Sequence, residues 1–421
     1  MTPVLSHFIA GEFRPDADGP LLPVINPSDR DDVIALAPEG SAAAAALAAA
    51  AASAALSSWR RLPGPARAEH LYRWSSAIEA RRAELARALS REVGKPIAEA
   101  TGEVARCTMI LRYYAGEAVR DLGDVIPAQM PGALQFTMRD PLGVVALITP
   151  WNFPAAIPLW KAAPALAFGN TVVLKPSELA PHVGVLLAET AAAAGLPPGV
   201  FNVVLGGPSA GAALLEEASV RAVSFTGSAG VGARVAAACA ARNIRYQTEM
   251  GGKNVAIVLP DADLDLAARL TAGGAMRYAG QKCTATSRVI VAHPVEAAFL
   301  DRLRAAIEAL PIGPVEDAAC AVGPLITPAA RDRVRAALAN APGERMFGGE
   351  PPGDARLARG LFLVPALLRD VDPGASVAQD ELFGPVLAAF GVRDVDQAIT
   401  LANRSRYGLS ASLFTRDLGA A

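Results

Sequence analysis

The sequence is poor in cysteine and histidine and carries no surplus of charge of either sign. Across 421 residues there are four cysteines, Cys107, Cys239, Cys283 and Cys320, and no two stand in a CxxC pair. That spacing argues against a disulfide framework or a structural zinc site and fits a reducing compartment, read here as the cytoplasm. The four histidines, His7, His70, His182 and His293, are equally scattered with no HxxxH spacing, so no metal site is expected. Lysine and arginine number 39 against 41 acidic residues, a formal net charge of −2, and no long basic run interrupts that balance. Nothing of this kind gathers nucleic acid. The N-terminus, MTPVLSHFIAGEF, lacks the basic region and apolar stretch of a signal peptide. Residues 41–59 carry no charge and are long enough for a membrane window. They are mostly alanine, the best helix former and only weakly apolar, and Arg60 and Arg61 follow, so a partly buried helix is expected and no membrane association. No repeat recurs at a fixed period.

What is present is a composition that builds cores. Hydrophobic residues make up 52% and charged residues 19%, which excludes a disordered chain. At roughly 100–200 residues per domain, the length suggests two or three domains. Short strands are expected in HFIAGEF, PVINPS and DVIALAP, followed by helices over about 41–58, 64–91 and 95–119. From residue 143 apolar strands alternate with helices. GVVALIT, TVVLKP, FNVVLG and AVSFTG frame helices over about 156–168, 182–195 and 208–217, and a further helix covers about 230–241. Such alternation reads as βαβ units on a parallel sheet. A second α/β stretch opens near Gly251, with strands NVAIVLP and SRVIVA and helices over 263–279 and 294–310. A Pro/Gly-rich region of short elements spans about 311–365, and Gly348, Gly349, Pro351, Pro352 and Gly353 read as an exposed turn.

Five places could carry chemistry. Cys283, in AGQKCTATSR, lies in a loop entering a strand, and Lys282 beside it could favour the thiolate; a lone cysteine is equally a small buried apolar residue. Glu249, in QTEMGGKN, could take a proton from water at the tip of a strand, or be a solvated loop glutamate. Asn152, in TPWNFP after a strand, could donate to a developing oxyanion or cap an Asx turn. FTGSAGVG, residues 225–232, follows a strand and opens a helix, a context for phosphate, although Ala229 breaks the strict GxGxxG pattern. KPSE, residues 175–178, closes a strand where a cation and a carboxylate could hold ribose hydroxyls or form a surface ion pair.

Taken in order, PWNFP, KPSE, FTGS, EMGGKN, GQKC and ELFGP at 381–385 resemble the aldehyde dehydrogenase superfamily, as do IAGEF and INPS near the start. The 34 residues from Glu249 to Cys283 are similar to the family's spacing, and the resemblance runs over essentially the whole chain. It implies an α/β fold with a Rossmann-like parallel-sheet domain and a second α/β catalytic domain. The implied division is an NAD-binding domain over 1–120 and 142–250, an oligomerisation hairpin over 121–141 and a catalytic domain over 251–421. The resemblance makes Cys283 the nucleophile, Asn152 with the Cys283 backbone N–H the oxyanion donors, and Glu249 the base that activates the hydrolytic water. Lys175, Ser177 and Glu178 would hold the adenosine ribose, Gly227 and Ser228 the pyrophosphate, and Glu381 the nicotinamide ribose beside Phe383. Phe153 and Trp160 would wall the aldehyde tunnel.

The implied reaction is NAD(P)-dependent oxidation of an aldehyde to an acid through a cysteine thiohemiacetal and thioester. Relatives that acylate coenzyme A lack the glutamate base, so Glu249 points to hydrolysis. Glu178 favours NAD, with NADP as the alternative. GQKCTATSR resembles the version in α-ketoglutaric semialdehyde (2,5-dioxopentanoate) dehydrogenases, which implies an ω-oxo acid substrate. A homo-oligomer, dimer or tetramer, is implied. The chain ends at Ala421 without a PFGGxKxSG-like segment, so the family's C-terminal part is expected to be absent and the assembly altered. A catalytically silent nucleotide-binding or structural relative is the competing reading, and an acyl transferase is disfavoured by the nucleotide motifs.

Overall fold

The structure, a computed structural model, describes residues 2–16, 19–120 and 123–421. Met1 of the N-terminal segment and Asp121 and Leu122 of the expected hairpin lie outside the described residues. The chain forms two compact units: Met1–Val24, Val33–Ala88 and Thr101–Glu249 in the first, and Ile25–Asp32, Leu89–Ala100 and Met250–Ala421 in the second.

The N-terminal region holds β1 (His7–Ile9), β2 (Glu12–Arg14), β3 (Leu21–Ile25) and β4 (Val33–Pro38), then α1 (Ala42–Arg61), α2 (Gly64–Ala80), α3 (Arg82–Val93) and α4 (Ile97–Glu117). The hairpin β5 (Val125–Ile126) and β6 (Gln135–Phe136) follows. Next come β7 (Val144–Ile148), α5 (Ala156–Ala167), β8 (Thr171–Lys175), α6 (Pro181–Ala193), β9 (Phe201–Val203), α7 (Pro208–Glu216), β10 (Val220–Thr226), α8 (Ala229–Ala241) and β11 (Arg245–Glu249). The sheet order is β11-β10-β7-β8-β9-β1-β2, parallel from β11 to β9, with β1 antiparallel to β9. Strands β7 and β8 are almost wholly buried, which is why they read as unbroken apolar runs.

The uncharged segment is α1. Ser41 caps it, accepting from the Ala44 N–H at 3.2 Å. Ala44, Ala45, Ala48, Ala49 and Ala52 make a buried stripe at helical spacing, and alanine lets the helix seat closely on β8. Thr171 Oγ1 donates to Ala52 O at 2.9 Å, and buried Trp59 donates to Leu166 O at 3.1 Å. Of the described helices only α1 is long and apolar enough to cross a bilayer.

The second unit contains β12 (Asn254–Val258), α9 (Leu264–Met276), β13 (Thr286–Ala292), α10 (His293–Glu308), α11 (Pro328–Ala339), β14 (Glu344–Phe347), β15 (Ala366–Arg369), α12 (Ser376–Gln379), β16 (Val386–Val392), α13 (Val395–Asn403) and β17 (Ala411–Phe414). Its sheet runs β14-β15-β16-β13-β12-β17, with every pairing parallel except β14 with β15. The core gathers Val289, Ile290, Leu387 and Phe299 between sheet and helices.

Several details depart from the sequence reading. The helix expected over 64–91 breaks at Arg81, whose φ of −106° and ψ of 18° end α2. The helix expected to reach 279 stops at Met276, because Tyr278 and Ala279 take left-handed backbone angles. Of the expected exposed turn, Pro351 and Gly353 are exposed, but Gly348 and Gly349 are buried; a Cβ at Gly348 would stand 1.8 Å from Pro365 O, so glycine there permits a close backbone approach. The Pro/Gly-rich region also contains the twelve-residue α11, started by Thr327 as cap and Pro328 at the first position. Residues 25–32 and 89–100, expected with the first domain, pack in the second unit. There Arg91 Nε bonds Asp32 at 2.7 Å and holds its carboxyl below the usual range, and Ile97 N–H donates to Val315 O at 2.7 Å.

Candidate active site

In the first unit the connections from β7 through β8 to β9 run one way along the sheet. The chain then returns to place β10 on the other side of β7. The β7–β10 pair is therefore a topological switch point, and crevices outside the carboxyl ends of such strands are where open α/β sheets bind ligands. Asn152 follows β7, Lys175 ends β8, Gly227 and Ser228 follow β10, and Glu249 ends β11. These residues, scattered over about a hundred positions, share one end of the sheet.

Asn152 is 4% exposed, in the loop between β7 and α5, and Phe153 beside it is half-buried. That loop is held from below by a carboxylate. Helix α5 has no side-chain cap of its own; instead Glu103, buried on α4, accepts from the Ala155 and Ala156 N–H groups at 3.0 Å each. Trp160, also on α5, is 47% exposed. Lys175 is buried and donates to Gly206 O at 2.7 Å and Gly207 O at 3.4 Å, with Glu178 at 3.4 Å; burial pushes the ammonium below the ordinary lysine value. Glu178 is exposed, and buried Ser177 turns the chain by accepting from the Leu179 N–H. At Gly227 a Cβ would meet the tip of the Phe225 ring at 2.6 Å, so glycine lets the chain leave β10 close over that ring. Ser228 caps α8 by backbone geometry without a side-chain bond, leaving the first-turn N–H groups of a thirteen-residue helix beside Gly230 and open space.

Glu249 is exposed at the strand tip, accepts from Gln247 Nε2 at 3.1 Å, and takes the Gly227 N–H on its carbonyl at 3.0 Å. The sequence reading passed over Lys161 on α5, nine residues beyond Asn152. It is 8% exposed and donates to Ser224 Oγ at 2.8 Å, which bonds Gln247 at 3.1 Å, so a polar chain runs from Lys161 to Glu249. Burial lowers the Lys161 ammonium to about 8, partly opposed by the Glu249 charge. The available signal was a single lysine within the apolar helix AIPLWKAAPALA.

In the second unit the candidate residues sit at the amino ends of the strands. Cys283 lies in the turn before β13, partly exposed. Asn254 Nδ2 holds that turn, donating to Cys283 O at 2.7 Å and Ala285 O at 2.9 Å. Lys282, expected beside the thiol as a cation, is paired with Glu99 at 2.7 Å, so its charge is met by a carboxylate in the first turn of α4. Glu381 precedes β16 and accepts from the Gly252 N–H at 3.2 Å; burial raises its carboxyl above the ordinary range. Gly251 and Gly252 separate the two loops. A Cβ on Gly251 would fall 1.9 Å from Glu381 Oε2, and one on Gly252 2.9 Å from Cys283 O. The thiol loop and the Glu381 loop are thereby packed across two glycines. Phe383, next along, is half-buried with φ of 53°.

The first unit offers a cation, a carboxylate and open helix N–H groups at a switch point. Within the second unit, a carboxylate stands beside the thiol loop. No cluster of three or more metal-ligating side chains occurs among the described residues.

The chain is similar to known proteins over nearly its whole length. The model of the aldehyde dehydrogenase family matches residues 13–421. The α-ketoglutaric semialdehyde dehydrogenase of Bacillus subtilis is 42% identical over 420 residues, covering 98% of this chain and 86% of that protein. The α-ketoglutarate semialdehyde dehydrogenase of Haloferax volcanii is 40% identical, covering 99% and 87%. Betaine aldehyde dehydrogenase from Staphylococcus aureus, solved in complex with NAD+, superposes with a TM-score of 0.95 at 32% identity, covering 99% of this chain and 83% of that one.

Proposed function

The chain belongs to the aldehyde dehydrogenase family, and on that premise we propose that it oxidises an ω-oxo acid aldehyde, such as α-ketoglutaric semialdehyde, to the free dicarboxylic acid with NAD. The observation that carries the reading is the packing of the Cys283 loop against the Glu381 loop across Gly251 and Gly252. A nucleophile and a ribose ligand so joined put the reacting carbon beside the hydride acceptor.

Lys175, Ser177 and Glu178 would hold the adenosine ribose, Gly227 and Ser228 the pyrophosphate, and Glu381 and Phe383 the nicotinamide ribose. NAD, when bound, supplies the acceptor for the hydride leaving the carbonyl carbon. The thiolate of Cys283 attacks the aldehyde and forms a thiohemiacetal. Asn152 Nδ2 and the Cys283 N–H donate to its oxyanion, contacts of a kind that lower the barrier by about 3–4 kcal/mol. Oxidation leaves a thioester on Cys283. Glu249 takes a proton from water, the hydroxide adds to the thioester carbonyl, and the acid departs as the sulfur recovers its electron pair. The Lys161–Ser224–Gln247 chain fixes the strand tip that carries Glu249. Phe153 and Trp160 would line the aldehyde path.

The exposed Glu178 carboxylate repels a 2′-phosphate, which favours NAD over NADP. The hairpin β5–β6 exposes Val125, Leu134, Phe136 and Met138, an apolar surface that favours pairing with a second copy. A screen of α-ketoglutaric, succinic and glutaric semialdehydes against long apolar aldehydes, with each nucleotide, tests the assignment by NADH or NADPH absorbance. Faster turnover of the apolar aldehydes removes the substrate class, and a tenfold preference for NADP removes the cofactor.

A further inference from the structure

The glycine pair that separates the thiol and Glu381 loops is followed by Lys253, a residue the reaction as written does not use. Lys253 is 3% exposed immediately before β12, and its Nζ donates to the carbonyl of Asp380 at 2.8 Å. The residue after that carbonyl is Glu381, whose carboxylate already takes the Gly252 N–H. Three successive residues, Gly251, Gly252 and Lys253, thus form a mount for the Glu381 loop: one makes room, one donates an N–H, one donates an ammonium. The lysine is held in turn from the other side, because Arg288 on β13 donates from Nε and Nη2 to Lys253 O at 3.1 and 2.9 Å and to Ala402 O at 2.9 Å.

We propose that Lys253 is a positioning residue whose ammonium, through its bond to the Asp380 carbonyl, aims the Glu381 carboxylate at the nicotinamide ribose and so strengthens NAD binding. The inference rests on the proposed role of Glu381. The charges facing the lysine come from every neighbouring element. Arg288 on β13 disfavours its charge; Asp380 and Glu381 favour it. Arg333 on α11 donates to Leu382 O at 3.1 Å and favours the charged carboxylate, and Arg406 beyond α13 is bonded to Asp380 at 3.0 Å. Burial is the largest influence and lowers the Lys253 ammonium to about 8. A charged donor is the stronger one. The sign follows: the ammonium is present below pH 8 and lost above it, so NAD affinity falls as pH rises.

The test is calorimetric titration of the whole protein with NAD, in two buffers of different ionisation enthalpy, from pH 6.5 to 9.5. The wild type is expected to weaken about tenfold across the range, the loss expected of one charge-assisted hydrogen bond, and to take up a proton on binding NAD near pH 8. Lys253→Arg keeps the charge at every pH and flattens the profile while binding at pH 7 is retained. Lys253→Met binds weakly throughout, and adding Glu381→Gln to it costs nothing more, since the two act on one contact. A pH-independent wild-type affinity with no proton uptake overturns the proposal even if a substitution prevents folding. Additive losses in the double variant, with Glu381→Gln weakening NAD by itself, overturn Lys253 alone. Glu381→Gln with unchanged NAD affinity overturns instead the ribose assignment beneath it.

Discussion

Replacing Lys161 by Met gives a prediction whose sign depends on pH. The ammonium sits on α5 among apolar side chains, and burial holds it at about 8 against an ordinary 10.5. While both folded and unfolded lysines are protonated, that difference costs about 3 kcal/mol of folding free energy. Between pH 8 and 10.5 the unfolded chain binds the additional proton, so the wild type gains stability as pH rises through that window. Methionine has nearly the same length and no charge. It removes the cost and gives up two hydrogen bonds, to Ser224 Oγ and Phe225 O, of about 1 kcal/mol each, while Ser224 Oγ keeps its bond to Gln247. The variant is expected to be more stable than wild type at pH 7 by about 1 kcal/mol, and to lose that advantage by pH 10. Urea denaturation followed by circular dichroism at the two pH values measures both. Turnover should fall, because the chain of bonds to the Glu249 strand loses its first member. A variant less stable than wild type at pH 7, or an advantage unchanged at pH 10, refutes the reasoning.

Other outcomes follow from the same geometry. Gly251→Ala puts a Cβ 1.9 Å from Glu381 Oε2, so NAD affinity should drop at least tenfold by calorimetry while the circular dichroism spectrum is unchanged. Glu178→Ser removes the charge that repels a 2′-phosphate and should raise the NADP/NAD ratio of kcat/KM by about tenfold in steady-state assays. Paired Leu134→Glu and Met138→Glu substitutions on the β5–β6 hairpin place charge on side chains 76% and 71% exposed, and should lower the mass measured by light scattering without changing thermal stability by more than about 0.5 kcal/mol per subunit.

Much of the fold was legible because buried parallel strands leave plain traces. GVVALIT and TVVLKP are continuous apolar runs bounded by glycine and proline, and the helices between them follow from periodicity. The candidate site was legible only through six short motifs in order; singly, Cys283, Glu249 and Asn152 each had an ordinary reading. What the sequence hid were pairings made by folding. The carboxylate that caps α5 comes from Glu103, fifty residues upstream, and nothing local at Ala155 announces it. Lys282 next to a thiol suggested an activating cation, but its partner Glu99 lies on another element. Gly348 and Gly349 carried the composition of a surface turn, yet they serve a buried close approach that depends on Pro365. The start of α11 was readable from Thr327 and Pro328, and was obscured by the prolines and glycines around it.

The central claim is that Cys283 carries the acyl group and Glu249 releases it. Glu249→Gln protein mixed with NAD and α-ketoglutaric semialdehyde, quenched in acid within a second and mapped by peptide mass spectrometry, tests both halves together. The account predicts one NADH formed per subunit in a burst and an acyl mass on the peptide containing Cys283. A full burst with that peptide unmodified, or with the acyl group on Cys107, Cys239 or Cys320, contradicts it.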